Sequence, residues 1–257
     1  MIAALNYMIN NDEPYSLGVI LRDHDRGAEL EKNDDLDSVN VMVDDHITGR
    51  MNHPDDIDFF LYNTDAPALY RIEVRPPEDM DASIAFFNRK RERVIDVNSA
   101  GRGRREVYPN FHSDSDFYIA VSSKTGTPLP AGDYILTVTP LRNAENYERE
   151  PNNEVSRANS LPGMTVSGYT SYPGDKDYFL LAFNSRINER FEVTGVKGGE
   201  IKVSVTDPLG YIIRSVDVRG NSKIVFNETI DKKGYLIVES LSEDYDNPYT
   251  IIFGGGK

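Results

Sequence analysis

Ten acidic side chains fall between residues 29 and 58: Glu29, Glu31, Asp34, Asp35, Asp37, Asp44, Asp45, Asp55, Asp56 and Asp58. Only Lys32 and Arg50 oppose them. Calcium takes about six to eight oxygen ligands, carboxylate and carbonyl, in flexible geometry. The run from Glu29 through Glu31 and Asn33 to Asp34 offers such oxygens along one stretch. Alternate side chains of an extended chain share a face, so Glu29, Glu31 and Asn33 point together. Asp55 and Asp58 would arrive from the turn before the next strand. A second set follows: Glu148, Glu150, Asn152 and Asn153, with Asp175 and Asp177 from the corresponding turn. Its charge is lower, because Asn153 stands for Asp34 and Gly174 for Asp55. These residues are the expected metal ligands and Ca2+ the expected ion. The competing reading is a solvated acidic face, with Asp56/Asp175 and Asp58/Asp177 holding a turn. Lys32 also competes, since its ammonium could take the ion's place.

Other chemistry finds less support. Arg89, Lys90, Arg91, Arg93, Arg102, Arg104 and Arg105 form a basic cluster that the second set lacks. Such a patch can grip a polyanion or acidic partner, but charge runs are usually solvated faces. The histidines are His24, His46, His53 and His112, and none sits in a zincin motif. No nucleophile elbow and no P-loop is present. A hydrolase using the Asp55–Asp58 region is a remaining rival, and the expectation is that the chain is not an enzyme. Asn227-Glu228-Thr229 is a glycosylation sequon, meaningful only in a eukaryotic secretory context. Tyr169 and Tyr172 are candidates for an exposed binding surface, whereas Tyr134, Tyr235 and Tyr249 read as core or half-buried strand residues.

The elements that position the acids form an internal repeat. At an offset of 119 residues, Glu31/Glu150, Asn33/Asn152, Asn40/Asn159, Gly49/Gly168, Pro54/Pro173, Asp56/Asp175, Asp58/Asp177 and Phe60/Phe179 are identical without a gap. Farther on, Phe117–Val121 parallels Tyr235–Glu239, and Tyr134–Val138 parallels Tyr249–Phe253. The expected organisation is an N-terminal arm (1–28), a first copy (29–142), a linker (143–147) and a second copy (148–257). Alternation in Arg71–Val74, Glu200–Val205 and Lys223–Phe226 predicts strands. Turn signals such as Asp207-Pro208-Leu209-Gly210 separate them. In the arm, Ile2–Ile9 predicts a short helix and Leu17–Leu21 a strand.

Composition narrows the partners. The 257 residues carry 28 Lys+Arg and 42 Asp+Glu, a net charge of −14. That balance argues against duplex nucleic acid. There is no Cys, hence no disulfide, thiolate metal site or Cys nucleophile. Apolar residues make up 39%, enough to build cores. No run approaches the length of a membrane helix. The opening MIAALNYMIN has no basic n-region and does not read as a signal peptide as written.

The second copy carries Glu148-Arg149-Glu150-Pro151-Asn152-Asn153, then Ala158-Asn159, Val166-Ser167-Gly168 and Asp175-Lys176-Asp177-Tyr178-Phe179. This order resembles the bacterial pre-peptidase C-terminal domain, a family that includes the collagen-binding domains of clostridial collagenases. The first copy is similar but has Lys32 for Pro151 and Phe59 for Tyr178. The resemblance implies an all-β fold of two tandem jelly-roll-like antiparallel β-sandwich domains. It also implies calcium ligands of the same residue types at these positions, and no catalytic residues. The expected function is a calcium-stabilised module that binds an extracellular protein or polysaccharide. A structural protein on the surface of a virion or other particle, contacting neighbouring subunits, is the alternative. The expected location is extracellular or on a particle surface.

Overall fold

A computed structural model describes residue 25 and residues 27–124, 128–141, 145–161, 165–242 and 244–254. The helix and strand expected in the arm, and part of the expected linker, lie outside the described residues. Nine strands precede residue 142: β1 (Asn40–Val41), β2 (His46–Gly49), β3 (Ile57–Tyr62), β4 (Ala68–Arg75), β5 (Ala82–Phe87), β6 (Arg93–Val97), β7 (Glu106–Ser113), β8 (Phe117–Ser123) and β9 (Tyr134–Pro140). Seven follow: β10 (Asn159–Ser160), β11 (Thr165–Thr170), β12 (Lys176–Thr194), β13 (Glu200–Thr206), β14 (Ile212–Arg219), β15 (Lys223–Ser240) and β16 (Asp244–Phe253). A single 3-10 turn, Val155–Arg157, is the helical element among the described residues. The all-β architecture expected from the sequence is what forms.

The first copy has two sheets, ordered β1-β3-β8-β5-β6 and β2-β9-β4-β7. Apart from the short parallel pair β1/β3, the ladders within them are antiparallel. The core lies between them and includes Phe60, Ile72, Val74, Ile84, Phe86, Ile119, Leu136 and Val138, all fully buried. Burial of each such side chain contributes about 1.5–3 kcal/mol. Phe86 and Phe111 stack with centroids 4.7 Å apart. A separate core in the second copy contains Phe179, Phe191, Val193, Ile201, Val203, Leu236, Val238 and Ile251.

The second copy joins its layers differently. Its order is β11-β16-β12-β15-β13-β14, with β10 beside β12, in one continuous sheet. β12 spans the positions of β3 and β4, and β15 those of β7 and β8. In the first copy Pro67 ends the gap between β3 and β4, and proline cannot donate to a ladder. Arg186 stands at the equivalent place, and β12 runs through with a register shift between Ala182 and Arg186.

The pairing corrects one alignment. Phe60 faces Ile119, and Phe179 faces Leu236. Ile119 is therefore the counterpart of Leu236, one residue from the match read in the sequence. A one-residue slip along a strand exchanges its faces, so the correction decides which side chains enter the core. The match of Tyr134 with Tyr249 holds: Leu136 faces Val74, and Ile251 faces Val193.

Candidate metal centre

The first acidic group is assembled by backbone bonds. Glu29 N donates to Thr48 O (2.9 Å), and Phe59 N to Asn33 O (2.9 Å). These tie the segment before β1 to β2 and β3. Asn40 secures it from the side: its Oδ1 accepts from Leu30 N (2.5 Å), and its Nδ2 donates to Leu30 O (3.0 Å). Arg50 N donates to Glu29 Oε1 (2.6 Å), and Tyr134 Oη to Asp58 Oδ2 (2.6 Å). The result gathers Glu29, Glu31 and Asp58, with one carboxylate oxygen of each within 4.8 Å of the others. Asn33 is buried beside them. Its amide oxygen faces only acceptors. Turned over, its nitrogen would donate to Asp58 Oδ1 (3.2 Å) and Glu31 Oε2 (3.1 Å). The turned amide is satisfied at both atoms, whereas a cation would answer only the oxygen of the amide as it stands, because its nitrogen faces donors.

The second group repeats the plan. Glu148 N donates to Ser167 O (2.9 Å), Tyr178 N to Asn152 O (3.2 Å) and Tyr169 N to Glu148 Oε1 (2.7 Å). Asn159 brackets Arg149 as Asn40 brackets Leu30. Glu148, Glu150 and Asp177 converge within the same 4.8 Å. Tyr249 Oη lies 2.7 Å from both Glu148 Oε2 and Asp177 Oδ2, so one phenol proton serves two carboxyl groups. Gly168 makes room for this. A Cβ there would lie 2.5 Å from Glu148 Cδ and inside the contact distance of the Tyr249 ring.

The groups differ in enclosure. Glu31 is exposed, and the first opens onto a cavity of about 290 Å³ lined by Glu29, Glu31, Arg50, Asn52 and Asp133. Glu148, Glu150, Asn152, Asp175 and Asp177 are all buried. Strand β7 of the first copy closes the second group. Tyr108 Oη donates to Glu150 Oε2 (3.0 Å), and Asn110 Nδ2 to Glu148 Oε1 (2.8 Å). Backbone bonds between Glu150 N and Asn110 O (3.2 Å) and between His112 N and Glu150 O (2.9 Å) make Glu150 a short parallel addition to the β7 edge.

Other residues read as ligands sit nearby or apart. Asp34 joins His53 and Asp56 in an adjoining group, with His53 Nε2 3.3 Å from Asp56 Oδ1. In the second copy Asn153 Nδ2 donates to both Tyr172 Oη (2.7 Å) and Asp175 Oδ1 (2.7 Å). Asp55 is exposed and belongs to none of these groups; buried Asp56 faces inward from that turn instead. Asp56 and Asp175 each accept from a loop backbone N–H, that of Asn52 and that of Ser171. Lys32 is exposed and forms no ion pair among the described residues. The sequence reading missed Tyr134 and Tyr249 as site residues, though their matched positions were a signal. It also missed Tyr108 and Asn110, which no repeat marks.

Burial dominates the electrostatics. It raises Glu29 to about 7 and Asp58 to about 9, with neighbouring carboxylates adding to the rise. Burial raises Glu148 to about 7 and Asp175 to about 6. Glu150 and Asp177 are pushed well above the carboxylate range by burial and then by Asp175 and Glu148. Nine buried side-chain oxygens find no donor among the described residues, and four of them belong to the second group: Asn110 Oδ1, Glu150 Oε1, Asn152 Oδ1 and Asp177 Oδ1. The Glu150 and Asp177 carboxyls meet each other, which satisfies them only while one keeps a proton. Each such orphan costs about 1–3 kcal/mol. Unpaired oxygens from carboxylates and amides are the donor set of a hard cation, so the residues fit one.

Four members of the basic cluster are held in pairs or on backbone oxygens, whereas Arg89 and Lys90 are exposed. Arg91 meets Asp37, Arg93 meets Asp96, and Arg105 meets Glu73 and Asp246. Arg102 Nε donates to Asp79 O. Tyr169 is half-buried and stacks on Tyr147 at 5.7 Å, and Tyr172 is half-buried against Asn153. No helix among the described residues is long and apolar enough to cross a membrane.

No protein family and no curated protein matches the chain. Solved structures give distant likenesses. The CUB1-EGF-CUB2 domains of rat MASP-1 are 7% identical, with TM-score 0.26 over 82% of this chain and 98% of that one. A putative secreted protein from Eubacterium rectale is 10% identical, with TM-score 0.27 over 81% and 73%. The extracellular region of zebrafish Gpr126/Adgrg6 is 10% identical, with TM-score 0.26 over 84% and 36%. Likeness at this level carries no argument about activity or partner.

Proposed function

We propose that the chain is a non-catalytic, calcium-stabilised tandem β-sandwich that binds an extracellular protein or polysaccharide. The observation that carries the cation is the set of four orphaned buried oxygens beside carboxyl groups that burial disfavours in the ionised form. Glu29, Glu31, Asn33 and Asp58 would hold one ion, and Glu148, Glu150, Asn152 and Asp177 the other. A bound cation supplies charge that offsets carboxylate repulsion and lets these groups ionise inside the protein. The protein residues do the positioning: Asn40 and Asn159 pin the ligand segments, and Tyr134 and Tyr249 hold one carboxylate oxygen of the later aspartate. The first copy's strand order, with β2-β9-β4-β7 over β3-β8-β5-β6, supports the jelly-roll-like reading and the resemblance to pre-peptidase C-terminal domains.

Binding is supported by the turn between β13 and β14. Leu209, Tyr211 and Ile212 are 82%, 70% and 65% exposed there, an apolar tip of the kind that marks interaction sites.

Thermal unfolding in EDTA and in millimolar calcium tests the reading. An ion that binds only the folded state adds about 2.7 kcal/mol at a hundredfold excess over Kd. Glu31→Gln and Glu150→Gln should each remove part of the calcium-dependent rise. A midpoint that calcium leaves unmoved refutes the cation.

A further inference from the structure

We propose that Asn110 contributes a ligand oxygen to the second acidic group, so that a cation held there fastens the two copies to each other. The inference rests on the calcium reading and goes beyond it, because Asn110 lies 38 positions before Glu148 and outside the repeat's own ligand set. Asn110 is fully buried. Its Nδ2 is engaged by Glu148 Oε1 at 2.8 Å, which places the amide against the group. Its Oδ1 accepts nothing among the described residues, as do Glu150 Oε1, Asn152 Oδ1 and Asp177 Oδ1. An amide whose nitrogen is bonded to a carboxylate of the group, and whose buried oxygen has no donor, can turn that oxygen to a cation held there.

The surrounding contacts hold Asn110 in place. Its own carbonyl accepts from Glu150 N, and Tyr108, two residues earlier, donates to Glu150 Oε2. The first group has no such neighbour among the described residues and opens to the surface. A cation in the second group therefore draws its ligands from both copies, whereas one in the first draws on the first copy alone. Ligand binding to a shared site stabilises the arrangement in which the site is complete.

The test uses the full chain, which has no native Cys. Lys90→Cys and Leu209→Cys place one spin label on each copy, both at exposed turns. Calcium stoichiometry and affinity are read by calorimetry, and the inter-label distance distribution by pulsed electron resonance, in EDTA and in calcium. The expected parent result is two ions and a distribution that narrows with calcium. Asn110→Ala should weaken one site at least about tenfold, leave the other as in the parent, and abolish the narrowing. The affinity that remains certifies that the first copy, which carries the substitution, folds, and an unchanged second-copy unfolding transition in EDTA certifies the other. Asn110→Asp, which keeps a ligand oxygen, should retain both ions and the narrowing. Two parent-like affinities in Asn110→Ala, or narrowing that persists in it, overturn this inference alone. A parent that binds no calcium overturns the cation reading on which it stands.

Discussion

Gly168→Ala adds one methyl group at the most crowded point of the second site. The glycine lies in β11 and has no positive φ, so alanine brings no backbone strain. The effect is steric. The added Cβ would sit 2.5 Å from Glu148 Cδ and closer still to the Tyr249 hydroxyl. Ordinary carbon contacts begin near 3.5 Å, so Glu148 or the strand must give by about 1 Å. Overpacking of this kind costs about 1–3 kcal/mol. Reduced freedom of the unfolded chain offsets about 0.4–1 kcal/mol. The net loss is about 1–2 kcal/mol, a fall of about 5–15 °C in the second copy's midpoint at the scale of a 100-residue unit. Metal ligands tolerate about 0.2 Å of displacement, so the calcium-dependent rise from this copy should also shrink. Calorimetry with and without calcium reads both. Gly49→Ala meets the same kind of clash, against the buried Tyr134 hydroxyl, and differs only in that Glu29, its other obstacle, can swing toward the open cavity. A Gly168→Ala midpoint at or above the parent's, with the calcium response intact, refutes the packing argument.

Three further outcomes are expected. In EDTA, stability should fall as pH rises: the site acids have folded values raised above the unfolded 3.8 and 4.5, so their contribution is complete below about pH 4 and is lost through about 6 for Asp175, 7 for Glu29 and Glu148, and 9 for Asp58. The calcium-induced shift should therefore grow between pH 5.5 and 8, and midpoints measured across that range that show a constant shift contradict this. Glu106→Ala should destabilise by about 3 kcal/mol or more in urea unfolding, because this buried carboxylate accepts from Ser99 N, Ser99 Oγ and Ala100 N; a loss under 1 kcal/mol would show those donors find water instead. Tyr108→Phe leaves Glu150 Oε2 without the phenol and should lower the EDTA midpoint more than Tyr211→Phe, whose side chain is exposed.

How much of this was legible depends on where the information sits. The ungapped identities at Asn33/Asn152, Asn40/Asn159 and Asp58/Asp177 are local, and they located the segments that carry the converging acids and the turn that returns to them. Asn40 and Asn159 matched in sequence before their bracketing of Leu30 and Arg149 gave the match a reason. Asp55 lies exposed while Asp56 faces inward, a difference between adjacent aspartates that only the turn decides. Tyr134 and Tyr249 looked like core residues, and their rings are buried; only the direction of the hydroxyl makes them part of the site. Tyr108 and Asn110 were not legible at all. Their role comes from contact between copies, and a repeat compared with itself carries no record of what one copy does to the next.

The two buried phenols also have an optical consequence. The chain has 15 tyrosines and no tryptophan, so its near-ultraviolet signal is tyrosine and phenylalanine alone. Tyr134 and Tyr249 each place the hydroxyl 2.6–2.7 Å from a site carboxylate. An ion that drew on those carboxylates would change the partner of the phenol while the ring stayed packed. Each group thus carries its own chromophore, which a difference spectrum reads and Tyr134→Phe or Tyr249→Phe assigns. Both phenols are held well above 10 by burial and the adjacent acids, so their ionisation in an alkaline titration reports the opening of the site around them.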